Sequence, residues 1–324
     1  MIKNLLCPRC GHPLREELNT LFCVSCLATW YKINGIPYFG DEHDKYRNQD
    51  ISKFLCVAES DGWDKALYEF VYKKSKFSKI PKEDQRISDW KYLLPAHRDR
   101  FTLVIGCGHS TVPIMLADIS KKVFAVDSSW KNIMFLNIRK DQQKVKNIFP
   151  IYLQRGLSLP FARKSFDLIS LNSNHWDKKR SASFYNYVLY LHSLLKPDGV
   201  LQLNLNNRLA ASHILNPSDK YSSYDIFTYQ KIFRMVGFAN IRYYAPLPYH
   251  NESPLFVVPL ENTQSLIYFF RNLFPLFDMV SPEVKRSYAL EYSIAKIGIR
   301  LMLFFRLAKL FKIFVPGFII FARK

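Results

Sequence analysis

The chain has 324 residues, 48% of them hydrophobic and 15% aromatic, which is enough apolar material for one large or two modest cores and excludes wholesale disorder. Lys and Arg number 46 against 27 Asp and Glu, a formal charge of +19, and such a balance calls for an anionic partner: nucleic acid, an acidic membrane surface, or a phosphorylated or nucleotide ligand. Eleven glycines exclude glycine-rich low complexity, and six cysteines, four of them in the first 26 residues, exclude a disulfide scaffold.

The opening Met1–Leu6 is too short an apolar run for a signal peptide, so a reducing, cytoplasmic setting is expected. Next come Cys7-Pro8-Arg9-Cys10 and Cys23-Val24-Ser25-Cys26, two Cys-x-x-Cys knuckles 12 residues apart. Two thiolates at that spacing converge on one cation, and two knuckles supply the four sulfurs of a structural zinc site, with no coordination position left for water or substrate. The alternatives are a ribbon without metal, or redox pairs, which normally come as a single Cys-x-x-Cys beside a βαβ unit. With Gly35-Ile36-Pro37 after the last predicted strand, residues 1–40 resemble the zinc-ribbon module that occurs alone as a methyltransferase activator and fused to the front of some methyltransferases.

Residues 41–100 are polar, with Trp63, Ala66, Leu67, Phe70 and Val71 at helical spacing, and are predicted as a helical linker or cap. Beyond Arg100, short apolar runs alternate with amphipathic stretches. Strands are predicted at 102–106, 123–127, 148–154, 166–172 and 199–205, with helices at 112–119, 131–143, 184–195 and 229–236. Such alternation argues for an α/β fold with a mostly parallel sheet covered by helices on both faces.

The first strand runs into Gly106-Cys107-Gly108-His109-Ser110, a turn whose missing side chains admit a ligand, and Asp127 ends the next strand about twenty positions on, where a carboxylate can accept from ribose hydroxyls. Thr111 stands where a dinucleotide fingerprint places its third glycine. Leu159-Pro160-Phe161, Ser165-Phe166-Asp167-Leu168-Ile169 and Leu194-Leu195-Lys196-Pro197-Asp198-Gly199 follow in order. Together these resemble the class I S-adenosylmethionine-dependent methyltransferases, within them bacterial enzymes of surface-glycan and secondary-metabolite pathways, which share Asp89-Trp90, Asn207-Arg208 and Tyr243-Tyr244-Ala245-Pro246-Leu247-Pro248. The resemblance implies a Rossmann-like seven-stranded sheet over 101–250, closed by a final strand at 318–324. It implies cofactor contacts from Gly106, Cys107 and Gly108, from Asp127 and Ser128 at the ribose, from Gly156 and Leu157 at the adenine, and from Asn172. Val104, Ser110 and Arg155 depart from the family pattern, Arg155 standing where an Asp commonly meets the adenine amino group.

After the fourth core strand the chain reads Asn172-Ser173-Asn174-His175-Trp176-Asp177. His175 is the best-placed candidate for a catalytic base, since imidazole titrates near neutrality; Trp176 is a candidate wall, and His213 and His250 are further candidates. Residues 251–317 exceed a normal connection and are expected to form a helical insertion. Within it a helical wheel places Leu303, Phe304, Leu307, Ala308, Leu310, Phe311, Phe314 and Val315 on one face, opposite Arg306, Lys309 and Lys312. Three such charges cost about 2.5–3.5 kcal/mol each at a bilayer centre, so spanning is excluded; a pocket lid or peripheral docking at the inner face of an anionic membrane remains.

Three functions fit. The first is methyl transfer from S-adenosylmethionine to a small-molecule, glycan or lipid-linked acceptor. The second is an RNA methyltransferase whose ribbon and basic core grip phosphates, although residues 1–45 carry no net charge. The third is a non-catalytic binding protein on the same fold.

Overall fold

The computed structural model describes residues 5–41, 53–72, 88–95, 99–109, 111–172, 184–210, 224–247, 254, 256–279 and 289–324. The cysteine-rich start folds as an antiparallel meander, β1 (Arg15–Glu16), β2 (Thr20–Phe22), β3 (Thr29–Ile33) and β4 (Ile36–Phe39). Two helices follow, α1 (Lys53–Ser60) and α2 (Trp63–Leu67), the second widening into a turn over Tyr68–Tyr72.

The alternating region forms β5 (Phe101–Ile105), α3 (Val112–Ala117), β6 (Lys122–Asp127), α4 (Trp130–Gln142), β7 (Ile148–Leu153), β8 (Phe166–Asn172), α5 (Phe184–Leu194), β9 (Leu195–Asn206), α6 (Ile226–Val236) and β10 (Asn240–Leu247). Then come β11 (Phe256–Pro259), α7 (Thr263–Tyr268), α8 (Ala289–Phe304), α9 (Phe311–Phe314) and β12 (Gly317–Arg323). Strands β7, β6, β5, β8 and β9 lie side by side and parallel, with β12 antiparallel between β9 and β10. The chain leaves β5 toward β6 and β7 on one side and returns to β8 and β9 on the other, so the topological switch point lies between β5 and β8.

The strands are buried on both faces, as their near-continuous apolar runs require. Alternation at period two sends Leu103, Ile105, Val126, Ile169 and Leu171 to one core, with α5 and α6. Val104, Ala125 and Leu168 go to the other, with α3 and α4. Two buried polar pairs lie within the sheet region: Thr102 with Ser120 at 2.7 Å, and Ser170 donating to Gln202 at 2.6 Å.

Two expectations are corrected. The sheet has twelve strands among the described residues rather than seven. The seven core strands sit in its middle; β4 adds to the edge of β7 in parallel, Tyr38 opposite Tyr152, and β11 adds beside β10. The ribbon thus shares one sheet and one core with the α/β region: Leu5, Trp30 and Phe39 pack in the same cluster as Ile151, Leu159 and Phe161.

The tail is not one amphipathic helix either, and its first part is the strand β11. α8 stops at Phe304, and Arg306 takes φ +56°. Leu307 N–H donates to Met302 C=O at 2.7 Å and Arg306 N–H to Leu303 C=O at 3.3 Å, the paired bonds of a helix C-cap that normally uses glycine. With no glycine or asparagine to mark it, the stop was invisible in the sequence. Of the expected single face, Ala308 and Val315 are buried while Phe304, Leu307, Leu310 and Phe314 are exposed.

Candidate functional site

Ligands of open parallel sheets bind beyond the carboxyl ends of the strands at the switch point, and the glycine turn after β5 is there. Gly106 and Gly108 adopt φ +74° and +52°, which side chains resist. Gly106 N–H donates to Val126 C=O at 2.8 Å and ties the turn to the end of β6.

Asp127, at that end, is 2% exposed. Its Oδ2 accepts from Gly108 N–H at 2.8 Å and from the Cys107 thiol at 3.7 Å. Its Oδ1 accepts from Ser129 N–H at 2.8 Å and Asn132 Nδ2 at 3.3 Å. The carboxylate therefore spans the turn and the start of α4. Burial first, and then the Asp127 charge, push the Cys107 thiol well above its ordinary range, so Cys107 stays protonated and serves as a donor. A Cβ placed on Gly108, or on Gly156 after β7, would meet no protein atom within 4 Å. The bend is open where a nucleoside would have to lie.

The surroundings of the turn were not evident from the sequence. His109 packs between Phe54 of α1 and Phe135 of α4, with ring centroids at 4.9 and 5.5 Å. Arg139, which opens a basic stretch of sequence running to Lys146, is 1% exposed. It donates to Thr111 Oγ1 at 3.2 Å and to His109 C=O at 3.5 Å, and lies 3.9 Å over the Trp63 ring, the pairing a buried guanidinium requires. Gln142 completes the link to the cap by donating to Ala58 C=O and accepting from Trp63 N–H. The only sequence trace of this wall was the helical spacing around Trp63.

On the adenine side, Arg155 Nε donates to Ser128 Oγ at 3.2 Å, bridging the ends of β7 and β6. Gly156 is exposed and Leu157 half-buried. The ribbon holds this loop directly. Leu6 N–H donates to Pro160 C=O at 3.0 Å, Ser158 N–H to Pro8 C=O at 3.1 Å, and Gln154 N–H to Phe39 C=O at 2.7 Å. Asn172 ends β8 opposite Asn204 of β9. Ser110, His175, Trp176, His213 and His250 lie outside the described residues.

The four ribbon cysteines form one cluster, their sulfurs all within 4.8 Å of one another. Cys7 and Cys26 sulfurs are 3.6 Å apart, and those of Cys10 and Cys23 3.4 Å. Four sulfurs about 2.3 Å from a tetrahedral zinc lie roughly 3.8 Å from each other, so the cluster is compatible with the ion. Burial raises the Cys23 thiol, but the Cys26 N–H, the thiols of Cys10 and Cys26 and the Ser25 N–H outweigh it and bring it to about 6. The Ala28 N–H lowers the Cys26 thiol, but burial and the sulfurs of Cys10, Cys23 and Cys7 outweigh it and push it up to about 12; four converging sulfurs, one of them readily ionised, are the donor set zinc takes.

A cavity of about 500 Å³ lies at the opposite, amino end of the strands, lined by Arg100, Asp167, Gly199, Arg242, Tyr244 and Arg323 among others. It is remote from the glycine turn, and its carboxylates are internally committed, Asp167 to Lys196 and Asp198 to Arg323. The geometry at the switch point, not cavity size, locates the candidate site.

Residues 103–203 match the family described as a methyltransferase domain. No match is found among curated proteins. Similar solved structures include the YcgJ protein of Bacillus subtilis, 15% identical, covering 74% of this chain and 98% of that one at a TM-score of 0.43. A SAM-dependent methyltransferase from Archaeoglobus fulgidus is 16% identical over 80% of this chain and 98% of that one, TM-score 0.45. Phosphoethanolamine N-methyltransferase 2 of Haemonchus contortus, in complex with S-adenosyl-L-methionine, is 14% identical over 85% and 60%, TM-score 0.45. The domain match runs from β5 into β9, so this part of the chain carries a methyltransferase domain.

Proposed function

We propose that the chain methylates a small-molecule, glycan or lipid-linked acceptor, in the manner of the bacterial glycan and secondary-metabolite enzymes its motifs resemble. The observation that carries the siting is the open glycine bend at the switch point with Asp127 bound across it. In this reading the backbone of Gly106, Cys107 and Gly108 flanks the methionine portion, Asp127 and Ser128 take the ribose hydroxyls, and Gly156 and Leu157 lie along the adenine. Asn172, at the end of β8, is assigned to the same site. S-adenosylmethionine, when bound, supplies a methyl group on a sulfonium that is already a good leaving group.

The chain's own work is then to orient the acceptor in line with that methyl, exclude water and, for a hydroxyl acceptor, remove a proton. His175 is assigned that last role from its position just after β8. The His109–Phe54–Arg139 cluster fixes the turn from behind, so that binding costs little reorganisation. The four cysteines are assigned one structural zinc, whose four sulfur ligands leave no position for substrate; its part is to hold Pro8 and Phe39 against the adenine loop.

Calorimetry with S-adenosylmethionine and its demethylated product tests the cofactor site, and absence of binding overturns it. Mass spectrometry of cell extract incubated with the protein and isotope-labelled cofactor identifies the acceptor. Label appearing only in RNA would replace the proposed acceptor class with nucleic acid.

A further inference from the structure

The tail carries a second apolar surface that no part of the proposed site uses. On its inner side α8 buries Tyr292 and Ile299, with Phe274 stacked on Tyr292 at 5.1 Å. On its outer side Ile294, Ile297, Leu301 and Phe304, spaced as one helical stripe, are all exposed, Ile297 at 61% and Phe304 at 80%. A helix apolar on both faces has a second apolar partner. The C-cap at Arg306 then turns the chain so that Phe304 and Phe305 project together, ring edge to ring face at 5.0 Å, with Leu307, Leu310 and Phe314 exposed beside them.

Charge selects the partner. Residues 289–316 contain five basic side chains and one acidic, and Arg300, Arg306 and Lys309 are exposed among the apolar residues. Protein interfaces deplete Lys though not Arg at their centres, so it is the five-to-one basic excess around exposed rings that favours an anionic lipid surface, which attracts Lys and Arg alike. Among the described residues no helix is long and apolar enough to cross a membrane, so the surface lies on a bilayer rather than through it.

The tip is also placed to matter for the reaction. Gly317 pairs with Asn206 at the carboxyl end of β9, and Asn207 Nδ2 donates to the carbonyls of Ile313 and Val315 at 2.7 and 2.8 Å. The tail is thereby anchored at the same end of the sheet as Gly108 and Asp127. We propose that the Phe304–Phe305 tip seats the protein on an anionic bilayer surface with the carboxyl end of the sheet toward the lipid, and that the methyl acceptor is lipid-anchored. The second part rests on the methyltransferase reading; the first does not.

The test is sedimentation of the full chain with vesicles of equimolar phosphatidylcholine and phosphatidylglycerol, against vesicles of phosphatidylcholine alone. Each basic residue near an anionic leaflet adds about fivefold to partitioning, so the anionic vesicles should bind at least about tenfold better. The double variant Phe304→Glu/Phe305→Glu should lose at least about tenfold of that binding while keeping the wild-type Tm and cofactor affinity. No vesicle binding by the wild type, or equal binding by the variant, overturns the docking. So does a wild-type dimer in light scattering that the double variant dissolves, or RNA binding abolished by the variant. In extracts supplied with labelled cofactor, label should enter the organic-solvent lipid fraction; label confined to water-soluble products overturns the acceptor class. Vesicle binding without any cofactor binding would overturn the methyltransferase reading, and the acceptor class with it, while leaving the docking in place.

Discussion

Removing the Asp127 carboxylate separates its two jobs. In Asp127→Ala, Gly108 N–H, Ser129 N–H, Asn132 Nδ2 and the Cys107 thiol all lose their acceptor. Gly108 and Ser129 are half-exposed, so water replaces part of what is lost, and the stability cost should be about 1–3 kcal/mol. For a domain of this size that is a fall in Tm of several degrees. A carboxylate has roughly four acceptor positions, and protein donors already fill them. Ribose hydroxyls must therefore displace the weakest, the thiol at 3.7 Å and the amide at 3.3 Å.

That exchange leaves a net loss of about 1–3 kcal/mol when the carboxylate is removed, which raises the cofactor Kd about 5- to 150-fold. Isothermal calorimetry on Asp127→Ala, with Asp127→Asn as the shape-preserving partner, reads this directly. A lowered Tm with unchanged Kd would show that Asp127 only braces the turn, and the proposed ribose contact would fall.

Metal analysis should find one zinc per chain, and prolonged chelation should lower Tm and weaken cofactor binding together, because Pro8 and Phe39 hold the 154–160 loop; chelation that leaves both unchanged would exclude a structural zinc. Gly40→Ala should cost about 1–3 kcal/mol, since the new Cβ would lie 2.8 Å from the ring of buried Tyr152, itself stacked on Tyr38; thermal unfolding with no change in Tm would contradict the observed ribbon–sheet packing. Asp225→Ala should cost about 1 kcal/mol, because Asp225 caps α6 by accepting from Phe227 N–H and Thr228 N–H. Partial burial raises the Asp225 carboxyl, but the bonds from Thr228 and Phe227 outweigh it and hold it below the ordinary value of 3.8. The gap between wild type and variant should therefore be full above about pH 4 and shrink as pH falls through the lowered pKa, a trend that denaturant melts across acid pH will check.

Much of this architecture was legible because local patterns sufficed. The run Thr102–Ile105, the turn Gly106–Gly108 and Asp127 at the next strand end lie in a short stretch of chain whose periodicity and glycine chemistry define a strand, a bend and a second strand. The two cysteine knuckles are likewise local: their spacing specified one cluster, and the sulfurs converge to within 4.8 Å. The core strands β7, β8, β9 and β12 follow the same logic, since each apolar run needs cover on both faces.

What tertiary structure alone decided involves groups with no local signature. Arg139 looks like surface in sequence, and is buried only because Trp63, from a separate segment, comes to lie beneath its guanidinium. The ribbon reads as a separate module, yet Tyr38 pairs with Tyr152 because the free edge of β7 can accept another strand, and edge hydrogen bonds are available to any backbone. The helix stop at Arg306 arises from paired backbone bonds, not from a residue suited to the left-handed region. Periodicity reports which way a side chain faces within its own element; which element then comes to meet it depends on how distant segments pack in three dimensions.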